Sequence, residues 1–148
     1  VHQLKKGEKL ILGGIEIESD YGIVGHSDGD VLVHSIIDAI LGASSMGDLG
    51  SYFPSSDKKW KNFKSLKMLS MIYSEINDQF TVLHLDSIVV LQKPNISNHI
   101  NEMRSKIADT IQVDLSSISI KATTTDHLGY IGKGKGIASQ AIATLILK

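Results

Sequence analysis

The sequence contains no cysteine and only two prolines among its 148 residues. Without thiols there is no disulfide framework, no thiolate nucleophile and no zinc finger, so any metal must sit on His, Asp or Glu. With no Pro/Gly-rich linker, no low-complexity tract and no internal repeat, a single domain over residues 1–148 is expected. Aromatic residues make up 5%, and arginine occurs once against fourteen lysines. No apolar run approaches the roughly 20 residues that span a bilayer. Neither sign of charge dominates, since fifteen basic residues face sixteen acidic ones for a formal charge of −1. Such a balance gives no global field for nucleic acid or an anionic membrane, so neither is expected as a partner. A small charged ligand remains open.

What is present is alternation of strand and helix patterns. Leu10 to Glu18 carries two short apolar runs around Gly13-Gly14 and reads as a tight hairpin. From Asp30 to Ser45 the apolar residues Val31, Ile37 and Leu41 recur at helical spacing, with Asp28 or Asp30 placed to cap the start. Gly47 to Asp57 is turn-rich and reads as loop. Ser65 to Asn77 and Ser97 to Ile111 are two further helices. Thr81 to Gln92, Ser116 to Thr125 and Gly136 to Leu147 are strands, and Val1 begins as if inside another. The expected fold class is α/β: a mixed four-stranded sheet with helices packed on one face, plus the short hairpin.

Two stretches concentrate chemistry. "HSDGDVLVH" (His26 to His34) holds two of the six histidines in a loop that feeds a helix N-terminus, where free N–H groups and the dipole favour a phosphate or carboxylate. His34 lies one turn beyond Asp30 and one turn before Asp38, so a carboxylate at Asp38 is placed to orient a metal-binding imidazole. Taken singly, aspartates at a helix start are more often caps, and a lone histidine is more often a satisfied side chain. His84 and His99 lack an acid and glycine context and read as structural. The second stretch, "KATTTDHLGYIGKGKG" (Lys121 to Gly136), offers three threonines, Asp126 as an oxygen ligand for a hard cation, and spaced glycines. Threonines are also good strand residues, and Gly-x-Gly entering a strand is often only a bulge.

Four segments, "HSDGDVLVHSIIDAILGA", "GDLGSYFP", "PNISNHINEMR" and "IKATTTDHLGYIGKGKGIA", together resemble the 2-C-methyl-D-erythritol 2,4-cyclodiphosphate synthase family of the non-mevalonate isoprenoid pathway. The resemblance implies a lyase that closes 4-diphosphocytidyl-2-C-methyl-D-erythritol 2-phosphate into a cyclic diphosphate and releases CMP. The nucleophile is then the substrate's own 2-phosphate, which fits a chain without a nucleophilic side-chain triad. It implies a Zn²⁺ held by His2 and His34 with an aspartate expected just before Val1, where residues of the chain are taken to be missing. Asp126 would hold a second divalent cation, Mg²⁺ or Mn²⁺, with Asp38 behind His34.

Position by position, the resemblance gives His26 and Thr124 catalytic roles and Ser27 a phosphate contact. Asp48, Leu49 and Gly50, then Phe53, Pro54, Ser55, Ser56 and Asp57, match the loop around the methylerythritol. Thr123 and Thr125 flank Thr124, and Tyr130 and Lys133 complete the substrate contacts. Leu91, Gln92, Lys93, Pro94, Asn95, Ile96 and Ser97 match the cytosine-gripping loop. Asp126 replaces a usual glutamate, Asn95 a frequent lysine, Tyr130 and Lys133 a phenylalanine and arginine, and Lys135 a common acid. The last two changes make the entrance to a three-fold-axis cavity more basic, and binding of an isoprenoid diphosphate there is open. The family is a homotrimer with sheets facing the axis and active sites between subunits. Its members occur in the bacterial cytoplasm and in plastids, and the AT-rich residue usage and missing start favour a plastid-type organelle (apicoplast or chloroplast). A metal-dependent phosphohydrolase and a non-catalytic trimeric module for nucleotides or isoprenoid diphosphates are the competing classes.

Overall fold

The computed structural model describes residues 1–148. Alternating apolar residues build seven strands: β1 (His2–Lys6), β2 (Leu10–Leu12), β3 (Ile15–Ile17), β4 (Tyr21–Val24), β5 (Phe80–Val90), β6 (Ile118–Thr123) and β7 (Gly136–Leu147). Helical spacing builds α1 (Val31–Ala43), the single-turn α2 (Leu49–Tyr52), α3 (Ser65–Ile76), α4 (Ile100–Ile111) and the single-turn α5 (Gly129–Gly132). The hairpin, the three long helices and the last three strands fall where the sequence places them.

The main sheet has five strands rather than the expected four, in the order β4-β1-β7-β5-β6, with β2 and β3 paired as a separate hairpin. The short strand β4 accounts for the difference, since the start of the chain already reads as a strand. β4 is four residues long with Gly22 inside it, and β1 ends in two lysines, so neither shows a clean alternating run. Both are recruited by tertiary pairing, which overrides weak local propensity. The segment from Gly47 to Asp57, expected as loop, contains α2 because Asp48 caps it through its contact to the Ser51 N–H at 2.8 Å.

β5 pairs parallel with β6 and antiparallel with β7, which makes the sheet mixed. β7 serves two partners: Gly136 and Ile137 pair with β1, and Ala138 to Leu147 pair with β5. At the end of the sheet where β7 begins, His2 faces Ile137, Ala138 faces Val90, and Val90 faces Thr123. The N-terminus of β1 and the C-termini of β5 and β6 therefore share one edge of the molecule.

The core lies between the sheet and the helices. Leu32, Val33, Ile36, Ile37, Ile40 and Leu41 of α1 are wholly buried against Leu69 and Ile72 of α3 and against Leu85, Val89 and Ile137 of the sheet. The opposite sheet face is open, with Ile142 and Ile146 exposed beside an ion pair between Lys121 and Asp86. Truncation of Ile36 to alanine should cost about 2–5 kcal/mol, the range for a buried isoleucine whose cavity cannot collapse. Urea unfolding monitored by circular dichroism checks this, and a loss below about 1 kcal/mol would contradict close packing around α1.

Candidate functional site

The site begins at the Asp30 cap. Its Oδ1 accepts the Val33 N–H at 3.0 Å, and its Oδ2 accepts the Gly14 N–H at 2.7 Å and the Ser65 hydroxyl at 3.3 Å. One carboxylate thus ties the hairpin turn, the start of α1 and the start of α3. Burial pushes this carboxyl up to about 6, against the lowering effect of the N–H groups from Val33 and Gly14. Asp28 reinforces the junction by accepting the Ser65 N–H and hydroxyl at 2.8 and 3.0 Å. Neither Ser65 nor this role of Asp28 was legible in the sequence, because the two lie 37 residues apart.

One turn into α1, His34 meets His2 at the start of β1. His2 Nε2 lies 3.3 Å from His34 Nδ1, with the rings edge to face. His34 Nε2 lies 3.2 Å from Ser27 Oγ, which also accepts the Gly29 N–H at 3.4 Å. Burial, then the neighbouring His2, hold the His34 imidazole down to about 4, and burial lowers His2 as well. Both rings are therefore neutral at pH 7, the form in which imidazole ligates a metal. Two ligands each about 2.0–2.1 Å from a tetrahedral ion stand about 3.3–3.4 Å apart, so the pair fits a zinc-like ion. No group of three or more His, Cys, Asp or Glu gathers in the chain, so the two nitrogens are what this sequence offers.

Ser27 is the side chain within hydrogen-bond distance of His34 Nε2, while Asp38 acts on the ring through its charge. Asp38 Oδ1 accepts the Leu49 N–H at 2.7 Å, which commits its carboxylate to α2. Asp38 therefore positions the Asp48 loop and leaves both nitrogens of His34 to His2 and Ser27. Asp48 is exposed and holds the Ser51 N–H and hydroxyl, which keep its carboxyl below the usual range. Phe53 is buried and packs edge to face on Trp60 at 4.8 Å, so it anchors the loop from the core side. Pro54 accepts the Asp57 N–H at 3.0 Å, and Ser55, Ser56 and Asp57 are exposed.

His26 is held from two sides by the same loop. Its carbonyl accepts the Asn62 N–H at 3.0 Å, and its Nε2 lies 3.2 Å from the Asp57 carbonyl. A carbonyl only accepts, so Nε2 carries the hydrogen and Nδ1 is the nitrogen left for a ligand. Leu49 and Gly50 form the first turn of α2, which brings Gly50 within 3.5 Å of Asp48 Oδ1 when a Cβ is placed on it.

The second cluster sits at the end of β6. Thr124 Oγ1 lies 3.3 Å from Asp126 Oδ1 and accepts the Asp126 N–H at 3.2 Å. Thr125 donates to the Leu128 carbonyl at 2.8 Å, and Thr123 to the Thr124 carbonyl at 3.3 Å. Asp126 and His127 both adopt left-handed backbone, with φ of 49° and 65°, which reverses the chain tightly. A Cβ on Gly132 would lie 2.1 Å from the His127 carbonyl carbon, so the reversal closes only because residue 132 is glycine. The exposed Asp126 carboxylate beside a hydroxyl is an all-oxygen donor set, which suits a hard cation that keeps several waters. Gln92 Oε1 accepts the His127 N–H at 3.1 Å, and Leu91 N–H bonds the Thr123 carbonyl, so the 91–97 loop is built onto this cluster. Leu91 and Ile96 are buried anchors, the Lys93–Pro94 bond is cis, and Asn95 Oδ1 accepts from both Ser97 groups. Asn95 thus caps the turn before α4 where a lysine would reach outward. Tyr130 is half exposed, its ring close over Gly136, and Lys133 closes α5.

The two clusters occupy one end of the sheet, but β1 and β6 are three strand spacings apart. At about 4.8 Å per spacing those two strands stand roughly 14 Å apart across the sheet.

The profile of the YgbB family matches residues 1–146. The chain belongs to the YgbB family. A protein of Clostridium acetobutylicum named 2-C-methyl-D-erythritol 2,4-cyclodiphosphate synthase is 48% identical over 147 residues, covering 99% of this chain and 95% of its own. One of that name from Synechococcus elongatus is 46% identical over 147 residues, covering 99% and 92%. Among solved structures, the bifunctional IspDF from Campylobacter jejuni aligns with a TM-score of 0.92 at 37% identity, over 99% of this chain and 40% of that one. The CDP complex of IspF from Plasmodium falciparum aligns with a TM-score of 0.86 at 34% identity, over 99% and 91%. The YgbB relatives named here from curated proteins are bacterial, which lends the plastid expectation no support.

Two titrating groups of this YgbB site, Asp30 and His34, oppose each other. Between 3.8, the ordinary aspartate value, and about 6, native Asp30 keeps a proton that the unfolded chain has lost. Stability from Asp30 therefore falls as pH rises, by about 3 kcal/mol at 1.36 kcal/mol per unit. Between about 4 and 6.5 the unfolded chain binds the proton that native His34 refuses. Stability from His34 therefore rises with pH, by about 3 kcal/mol. In metal-free protein, Asp30→Asn should leave a stability profile that climbs between pH 4 and 6, and His34→Gln one that falls. Urea midpoints across that range check the signs, and equal slopes in both variants would contradict the assignment.

Proposed function

We propose that this chain catalyses the metal-dependent cyclisation of 4-diphosphocytidyl-2-C-methyl-D-erythritol 2-phosphate to 2-C-methyl-D-erythritol 2,4-cyclodiphosphate with release of CMP. It is a phosphorus–oxygen lyase of non-mevalonate isoprenoid precursor synthesis. The observation that carries the reading is the neutral His2–His34 pair, oriented by Ser27, at the N-terminus of a helix that favours phosphate. An oxygen of the 2-phosphate attacks the β-phosphorus, and the bond from that phosphorus to the α-phosphate oxygen breaks, so CMP leaves with the electron pair. No protein nucleophile is needed, and the chain's task is in-line positioning and charge stabilisation.

With His34 Nδ1 on a metal, its neutral ring carries the hydrogen on Nε2 and donates to Ser27 Oγ, which leaves the Ser27 hydroxyl hydrogen for a phosphate oxygen. His26 presents Nδ1 beside it. Asp48 and the exposed Ser55 and Ser56 are placed for the polyol hydroxyls, while Thr124 offers a hydroxyl to the diphosphate and the 91–97 loop holds the cytosine. His2 and His34 would hold Zn²⁺, and Asp126 the Mg²⁺ or Mn²⁺. Bound there, such ions supply Lewis-acid neutralisation of phosphate charge.

The separation across the sheet favours a homotrimer in which the histidine half of one chain meets the threonine half of its neighbour. The open face carrying Ile142 and Ile146 is then what turns to the three-fold axis. For compartment, the bacterial relatives favour the bacterial cytoplasm over a plastid-type organelle.

The test is CMP release with metal content measured on the same sample. About one zinc per chain and stoichiometric CMP are expected. His34→Ala should lose zinc and at least about a hundredfold in kcat, as for loss of a metal ligand's function. Asp126→Ala should keep zinc and raise the divalent-cation requirement. Inorganic phosphate in place of CMP would favour a phosphohydrolase, and CDP binding without turnover a binding module.

A further inference from the structure

The segment from Asp57 to Lys67 holds five exposed lysines, Lys58, Lys59, Lys61, Lys64 and Lys67, against one aspartate. Its net charge is +4, so the other 137 residues of a chain with formal charge −1 carry −5. The basic charge is thus concentrated in one place on an otherwise acidic molecule. None of the five lysines takes part in an ion pair: the salt bridges present are Lys5–Glu8, Lys9–Glu16 and Lys121–Asp86.

Local stability gives no reason for this pattern. Lys64 is the N-cap residue of α3 without a side-chain cap bond, and Lys67 lies in its first turn. Cations there face the positive end of the helix dipole, which is unfavourable. The backbone of the segment is fixed nonetheless. Trp60 is buried between Phe53 and Phe63, with ring centroids 4.8 and 5.1 Å away, and Lys59 Nζ lies 4.4 Å over its ring.

The segment is also joined directly to the candidate site. Asn62 and Phe63 exchange backbone bonds with His26 and Asp28, at 3.0 and 3.2 Å, and the Asp57 carbonyl holds the His26 ring. We infer that these lysines form an electrostatic funnel that draws the polyanionic cytidine diphosphate substrate to the His26–His34 half of the site. The inference rests on the substrate reading above. A nucleic acid is disfavoured as the occupant, because the acidic remainder of the chain would repel an extended polyanion. Steering of this kind raises encounter rates by 10-fold or more and is screened by salt, since the Debye length shrinks to a few ångströms.

The test compares wild type with a quadruple variant, Lys58→Gln, Lys61→Gln, Lys64→Gln and Lys67→Gln, and with the matching Lys→Arg set. At low salt the Gln set should lower kcat/KM about tenfold with kcat unchanged, and the difference should vanish near 0.5 M salt. The Arg set should match wild type, and the Gln set should melt no lower. A second readout, the salt dependence of CDP association followed through the single tryptophan, Trp60, needs no turnover. A flat kcat/KM, a salt-independent loss, a fall in kcat, or CDP association indifferent to the lysines would each overturn the funnel. Absence of CMP from wild type with lysine-dependent CDP association would instead overturn the cyclase reading alone.

Discussion

The structure turns on the buried carboxylate of Asp30. Three donors from three separate elements converge on it, and no neutral side chain of that size accepts from all three. Desolvation opposes the charge, as its raised pKa records, so the junction is held at an electrostatic cost. That cost fixes the direction in which α1 leaves the hairpin, and His34 rides one turn along that helix. The distance from His34 to His2 on β1 is therefore set in part by Asp30, whose backbone carbonyl also accepts the His34 N–H at 3.0 Å.

Charge in this protein is organised locally. A near-zero sum conceals two half-buried neutral histidines, a carboxylate kept in the core and a lysine-rich segment over an aromatic anchor. Composition averages these away, although each shapes how an anion approaches and binds. The half-buried rings stay neutral because partial burial disfavours their charged form, and the lysines act at range because they remain solvated.

The long elements were legible in the sequence because α1, α3, α4, β5 and β7 bury one periodic face each, and periodicity survives in a single chain. β4 escaped because its pairing depends on a partner distant in sequence. The histidine, threonine and 91–97 residues were singled out through motif resemblance, and their grouping into two clusters follows the sheet. For Asp38, helical spacing shows which residues share a face and says nothing of a donor from another element, here the Leu49 N–H. The packing of Phe53 on Trp60 was not legible, since the two meet only through the fold of their loop. The Asp28–Ser65 bond left no local trace, since it is made by folding.

β7 pairs with β1 at its first two residues and with β5 along the rest, so the spacing between the histidine end and the threonine end is built into hydrogen-bonded strands. A slip of one residue would turn every core side chain outward, which makes that spacing rigid. In an assembly that joins the two halves across a subunit boundary, no chain owns a complete site, and each contributes to two. Two inactive chains, one defective at His34 and the other at Thr124, then rebuild an intact site wherever their undamaged halves meet, so genetic lesions in the two clusters belong to different complementation groups within one gene.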